Sequence, residues 1–153
     1  MNNKKLSGLF YTAVLGVAVL SLGSCSEKKF NINGTITQAK DSVLYLENMS
    51  LNGPKAVDSV KLDENGNFEF KQKAPDAPEF YRLRIANQMV NLAVDSTESI
   101  TVKAAYPTMS ANYEVSGSEE CTKIRDLAYM QLALQRQVTA IANSPALGVE
   151  AVE

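Results

Sequence analysis

The sequence predicts a mainly β fold: an antiparallel β-sandwich of about eight short strands, with a leader before it and a C-terminal helix after it. Three observations carry this. Between Phe30 and Gly117, apolar and polar residues alternate in short runs, the period of a half-buried strand. Turn-forming clusters punctuate those runs at roughly ten-residue spacing, the rhythm of a sandwich or barrel. At Ser118 the period changes to that of a helix. One-sided alternation favours antiparallel pairing with one wet face.

The leader is residues 1–24. Lys4 and Lys5 precede an apolar run from Leu9 to Leu22, and small residues follow. A positive start, an apolar middle and small residues before a cleavage point describe a secretory signal. As a helix the run spans about 21 Å, short of the ~30 Å hydrocarbon core of a bilayer. The order Leu22-Gly23-Ser24-Cys25 resembles the lipobox of bacterial lipoproteins. That resemblance implies cleavage between Ser24 and Cys25, a diacylglycerol on the Cys25 thiol, and acylation of the new amine. Several acyl chains hold a protein on a membrane where one does not. Residues 25–29 then form a lipidated tether, roughly 13 Å long over four extended residues, so the folded part sits near the bilayer.

Composition removes several functions. The chain has 153 residues and a net charge of −2, and Lys4 and Lys5 leave with the leader. No basic stripe is present, which argues against a nucleic-acid partner. The sequence has no histidine, the commonest general base and metal ligand. Cys25 and Cys121 are its two cysteines. With Cys25 lipidated, neither an intramolecular disulfide nor a zinc cluster can form, and no metal or cofactor is expected.

The strands follow in order. Phe30, Ile32 and Ile36 share a face, and Gly34 interrupts it as a bulge or a point of close packing. Asp41 and Ser42 turn the chain into the short buried strand Val43 to Leu46, and Asn48 to Lys55 reads as a loop. From Val57 to Phe70, two alternating runs flank Asn65-Gly66, which predicts a β-hairpin. Pro75 and Pro78 end that unit. Tyr81, Leu83 and Ile85 alternate with Arg82 and Arg84, and Asn87-Gln88 returns the chain into Val90, Leu92 and Val94. Ile100, Val102 and Ala104 make a further strand, and Tyr113 and Val115 a last one. The expected core is Ile32, Ile36, Leu46, Val60, Leu62, Phe68, Phe70, Leu83, Ile85, Leu92, Val94, Ile100, Val102 and Val115.

Ser118 suits an N-cap, and Glu119 and Glu120 suit the positive end of a helix. Ile124, Leu127, Leu134, Val138 and Ile141 then fall at helical spacing, to about Ala142. That stripe needs a partner surface.

Four groups are candidate sites. Cys121 lies in the first helical turn, where the dipole lowers a thiol pKa and the neighbouring glutamates oppose it; an ordinary unpaired cysteine is the plainer reading. Asp63, Asn65 and Asn67 offer oxygens at alternate positions, but Gly66 and the missing distal Glu do not fit an EF-hand, and a turn accounts for them. Arg82 and Arg84 can clamp an anion or simply form a solvated face. Tyr45, Tyr81, Tyr106 and Tyr113 can line a sugar platform or fill the core.

Several segments together carry a resemblance. They are the lipobox, Phe30-Asn31-Ile32-Asn33-Gly34-Thr35-Ile36, Leu44-Tyr45-Leu46, Asp58-Ser59-Val60, Asn65-Gly66-Asn67-Phe68-Glu69-Phe70, Phe80-Tyr81-Arg82-Leu83 and Tyr113-Glu114-Val115-Ser116-Gly117-Ser118. They resemble the N-terminal β-sandwich, a domain of unknown function, of Bacteroidetes lipoproteins that carry a thioredoxin-like or thiol-specific-antioxidant domain behind it. The resemblance implies a sandwich over 30–117 and a helical linker over 118–153, with the redox domain that follows in the family absent here, either because the sequence is a truncated piece or because this member lost the domain. It also implies a membrane-anchored, non-catalytic module that positions a thioredoxin-like thiol-disulfide oxidoreductase, itself the expected downstream partner. The chain has no Cys-x-x-Cys pair, so it is not itself expected to be an enzyme. The residues after Cys25 favour the outer membrane, facing the periplasm. The alternative is a stand-alone envelope lipoprotein that binds a glycan, peptide or small ligand.

Overall fold

A computed structural model describes residues 27–143. The leader, the lipobox with Cys25, and residues 144–153 lie outside the described residues. Eight strands precede one helix: β1 (Lys29–Thr37), β2 (Val43–Ser50), β3 (Gly53–Lys61), β4 (Asn67–Lys73), β5 (Glu79–Ile85), β6 (Gln88–Val94), β7 (Ser99–Ala105), β8 (Tyr113–Ser116) and α1 (Glu119–Ala142). They form two four-stranded sheets, ordered β4-β1-β7-β8 and β3-β2-β5-β6. The predicted fold class is the one observed.

Thirteen of the expected core residues are buried between the sheets, and Val60 is half-buried against them. Phe30, Leu44, Tyr81, Val90, Met109, Tyr113 and Cys121 join the same cluster. A fully buried side chain of this size contributes roughly 1.5–3 kcal/mol relative to exposure, so the apolar contacts are the main favourable term.

The structure corrects three local expectations. First, Asn65-Gly66 does not close a hairpin, because β3 and β4 lie in different sheets. The turn is nonetheless built as its residues dictate. The Asp63 carboxylate accepts the N–H groups of Asn65 and Gly66, each at 2.9 Å, and Gly66 has φ +68°. Local chemistry sets the reversal, and pairing with β2 and with β1 decides which sheet receives β3 and β4. Second, the loop at 48–55 shrinks to Leu51-Asn52: Ser50 pairs with Gly53 in a two-residue hairpin. Third, β1 and β7 pair in parallel, while the other five pairings are antiparallel. Each connection reverses the chain, so odd-numbered strands share one direction. β1 and β7 are the neighbours of like parity.

Gly34 marks close packing, as one of its two readings required. A Cβ there would stand 1.7 Å from the Val102 carbonyl oxygen, and its φ is +151°.

Ser118 caps α1: its hydroxyl accepts the Cys121 N–H at 3.3 Å. The helix lies along the side of the sandwich where both sheets end, against β6 and β8. Edge strands carry unpaired backbone groups that invite other chains, and α1 satisfies some of them here. The Cys121 thiol accepts from the Ala93 N–H at 3.4 Å and donates to the Ala93 carbonyl at 3.2 Å. The Tyr129 hydroxyl does the same for Tyr113, accepting its N–H at 2.6 Å and donating to its carbonyl at 2.5 Å. The helix stripe predicted as one face is therefore split. Ile124 is half-buried on the docked side, whereas residues 133–143 are all exposed.

Candidate functional site

The outer face of the β3-β2-β5-β6 sheet gathers the chemistry. Strand periodicity places Tyr45, Glu47 and Met49 of β2 on that face, with Phe80, Arg82 and Arg84 of β5 beside them. Register sets Glu47 opposite Arg82 and Tyr45 opposite Arg84. A bulge between Leu46 and Glu47, where the β2–β3 register shifts, lies at the head of this face.

Glu47 is 5% exposed, an uncommon burial for a carboxylate. It is held by Arg82 Nε at 2.5 Å and Arg84 Nε at 2.8 Å. Burial pushes its carboxyl up, but the hydrogen bonds and charges of the two arginines prevail and hold it below the ordinary range. Arg84 also lies over the Tyr45 ring, 4.7 Å from its centroid. The arginines, read from the sequence as a solvated face or an anion clamp, thus hold an internal carboxylate. The triad still carries one surplus positive charge.

Beyond Arg82 the face becomes apolar. Met49, Phe80, Tyr81, Asn91 and Ile124 line a cavity of about 370 Å³, with α1 as one wall. Phe80 is 59% exposed within it. Asn91 of β6 stands opposite Arg82 and joins the charged row to the apolar one. The Tyr81 hydroxyl and the Asn48 amide both donate to the Glu79 carboxylate, at 3.0 and 2.7 Å. The arrangement can receive an anionic group and an apolar group side by side.

The other candidates come apart. Cys121 is fully buried, and burial pushes its thiol up, so desolvation outweighs the helix dipole. Asp63 spends an oxygen on its own turn, and the Asn67 side-chain oxygen accepts from Thr35. The tyrosines do not form one platform. Tyr81 is in the core against Phe30, Tyr113 packs on Tyr129, and Tyr45 underlies Arg84. Sequence reasoning missed Glu47, Met49, Phe80, Asn91 and Ile124 as one site. An acid at the end of a buried run and two arginines on another strand were the visible traces, and only pairing joins them.

These features define a small two-sheet β-sandwich sealed along one side by a helix, with a charged and apolar slot on one outer face. Residues 30–123 match the family described as a domain of unknown function, DUF4369, and the chain belongs to it. The match takes in all eight strands except the first residue of β1, and the first turn of α1 with Cys121. No curated relative matches the sequence.

Proposed function

We propose that this protein is a membrane-anchored, non-catalytic β-sandwich that positions a thioredoxin-like thiol-disulfide domain. The observation that carries the reading is the uncovered stripe of α1. Leu127, Met130, Leu134, Val138 and Ile141 are each 55–66% exposed. At 100° per residue they fall within an arc of about 80°, centred about 140° from the face that meets the sandwich. Its own sandwich cannot cover that stripe. Beyond Leu132 the helix projects about 15 Å, a stiff arm with one apolar side. Helices gain most of their stability from packing such a side, so the stripe calls for a protein surface. The lipobox supplies the anchor, and the sequence resemblance supplies the kind of domain. The protein sits at the outer membrane and faces the periplasm.

The anchor is tested by Cys25→Ser, which should leave an uncleaved precursor and release the protein from membranes. Normal processing and membrane fractionation of that variant refute it. The positioning role is tested by adding a purified thioredoxin-like domain of the kind that follows this sandwich in the lipoproteins it resembles. Leu134→Asp should abolish its association without altering the thermal midpoint of the sandwich. The chain alone should not reduce insulin disulfides, and Cys121→Ser should change nothing. Turnover lost in Cys121→Ser would contradict the non-catalytic reading.

A second reading, a stand-alone envelope lipoprotein that binds a ligand, is favoured by the slot lined by Met49, Phe80, Asn91 and Ile124, with Arg82 paired opposite Asn91.

A further inference from the structure

We propose that the slot between α1 and the outer face of the β3-β2-β5-β6 sheet binds an apolar organic acid of low mass, its acid group on Arg82 and its apolar part against Phe80, Met49 and Ile124. This deepens the ligand-binding reading and is independent of the anchor and of any partner domain.

The charge argument comes first. Glu47 engages each arginine through Nε alone. Among the described residues nothing accepts from the two terminal nitrogens of Arg82, whereas Arg84 also donates to the Ala86 carbonyl. Glu47 therefore fixes the Arg82 guanidinium through Nε, and the Arg82 side chain keeps 18% of its surface exposed beside Asn91, which lines the slot. A guanidinium edge matches a planar carboxylate with two parallel N–H donors. Two arginines against one carboxylate leave a single positive charge, which an acid neutralises and a second cation does not. The Glu79 carboxylate on the same strand already accepts from Tyr81 and Asn48.

The apolar argument is separate. Phe80 lies two residues from Arg82 on β5, about 7 Å along the strand, on the same face. Its exposure of 59% is high for a large aromatic ring, and Met49 beside it is 38% exposed. Single exposed apolar residues are ordinary, but these share an open groove with the half-buried Ile124. Its size, about 370 Å³, lies in the range of small-molecule sites. The exposed Asn91, opposite Arg82, offers an amide donor at the junction. Apolar walls with a few converging polar groups are the usual anatomy of such sites.

The described core runs from Phe30 to Cys121, so the chain from Ser26 to Glu153 contains it and serves for the test. The probe is 8-anilinonaphthalene-1-sulfonate, an aromatic pair with one anionic group. Its fluorescence should rise saturably at one site. Arg82→Gln should weaken binding about tenfold or more, the worth of a charged hydrogen bond. Asn91→Asp, which sets a negative charge beside the slot at an exposed position, should do the same and serves if Arg82→Gln does not fold. Phe80→Asn should abolish binding, and Leu134→Asn, on the separate helix stripe, should leave it intact. Decanoate should displace the probe, whereas decanol at equal concentration should not. The proposal is overturned if Asn91→Asp and Phe80→Asn bind as wild type, if Leu134→Asn alone removes the signal, or if decanol competes as well as decanoate.

Discussion

Removing one oxygen, by Tyr129→Phe, is expected to unseal the free edge of β8. The Tyr129 hydroxyl both accepts from and donates to the backbone of Tyr113, a residue 4% exposed. The variant keeps the ring, its edge-on contact with Tyr113 at 5.7 Å, and the helical backbone. What it loses is two hydrogen bonds, each worth about 0.5–1.5 kcal/mol net, and it leaves an N–H and a carbonyl without partners. Tyr129 is half-buried, so water can reach the gap and restore part of the loss. The expected cost is about 1–2 kcal/mol, a fall of about 4–8 °C in the melting midpoint for a domain of this size. Thermal unfolding followed by circular dichroism gives the midpoint, and urea titration gives the free energy. Amide exchange at Tyr113 should quicken in parallel. A midpoint within about 1 °C of wild type, with exchange at Tyr113 unchanged, would refute the idea that α1 protects this edge through its hydroxyl.

Four further outcomes follow from the same geometry. The folded carboxyl of Glu47 is held below the ordinary value of 4.5, so its stabilising contribution is present above that pH and lost as pH falls through the folded value; Glu47→Gln should be less stable at neutral pH and show a flatter acid limb. Burial pushes the Tyr113 hydroxyl up to about 12 from the usual 10.0, with Tyr129 next among the causes. The unfolded chain therefore releases this proton first, stability should fall between those two pH values, and Tyr113→Phe should reduce the slope in alkaline melts. The buried Cys121 thiol should resist Ellman's reagent until the protein unfolds, with its reaction rate tracking the unfolded fraction in urea. Gly34→Ala should prevent folding or cost several kcal/mol, because its Cβ collides with the Val102 backbone; a wild-type melting midpoint would show that the strands can part there.

The pattern of alternation along the chain settled the class of fold, the span of α1 and most of the core. The reason is that a strand or helix with one wet face writes its period into its own residues. Ile32, Leu83 and Val102 were legible in this way, and so was the Ser118 cap. Turn residues were equally legible as turns: Asp63 and Gly66 build the reversal that their chemistry predicts. Their destination was not, because a turn fixes a local bend while the choice of sheet depends on residues far along the chain. The parallel pairing of β1 with β7 and the sealing of β6 and β8 by Cys121 and Tyr129 belong to that second kind. So does the candidate site. Glu47, Arg82 and Asn91 come from three strands, and Ile124 from a helix, and no one of them is unusual where it stands in the sequence. Only tertiary pairing buries the carboxylate beside two guanidinium groups and sets an exposed Phe80 next to them, because electrostatic and apolar contacts act between neighbours in space and leave no period along the chain.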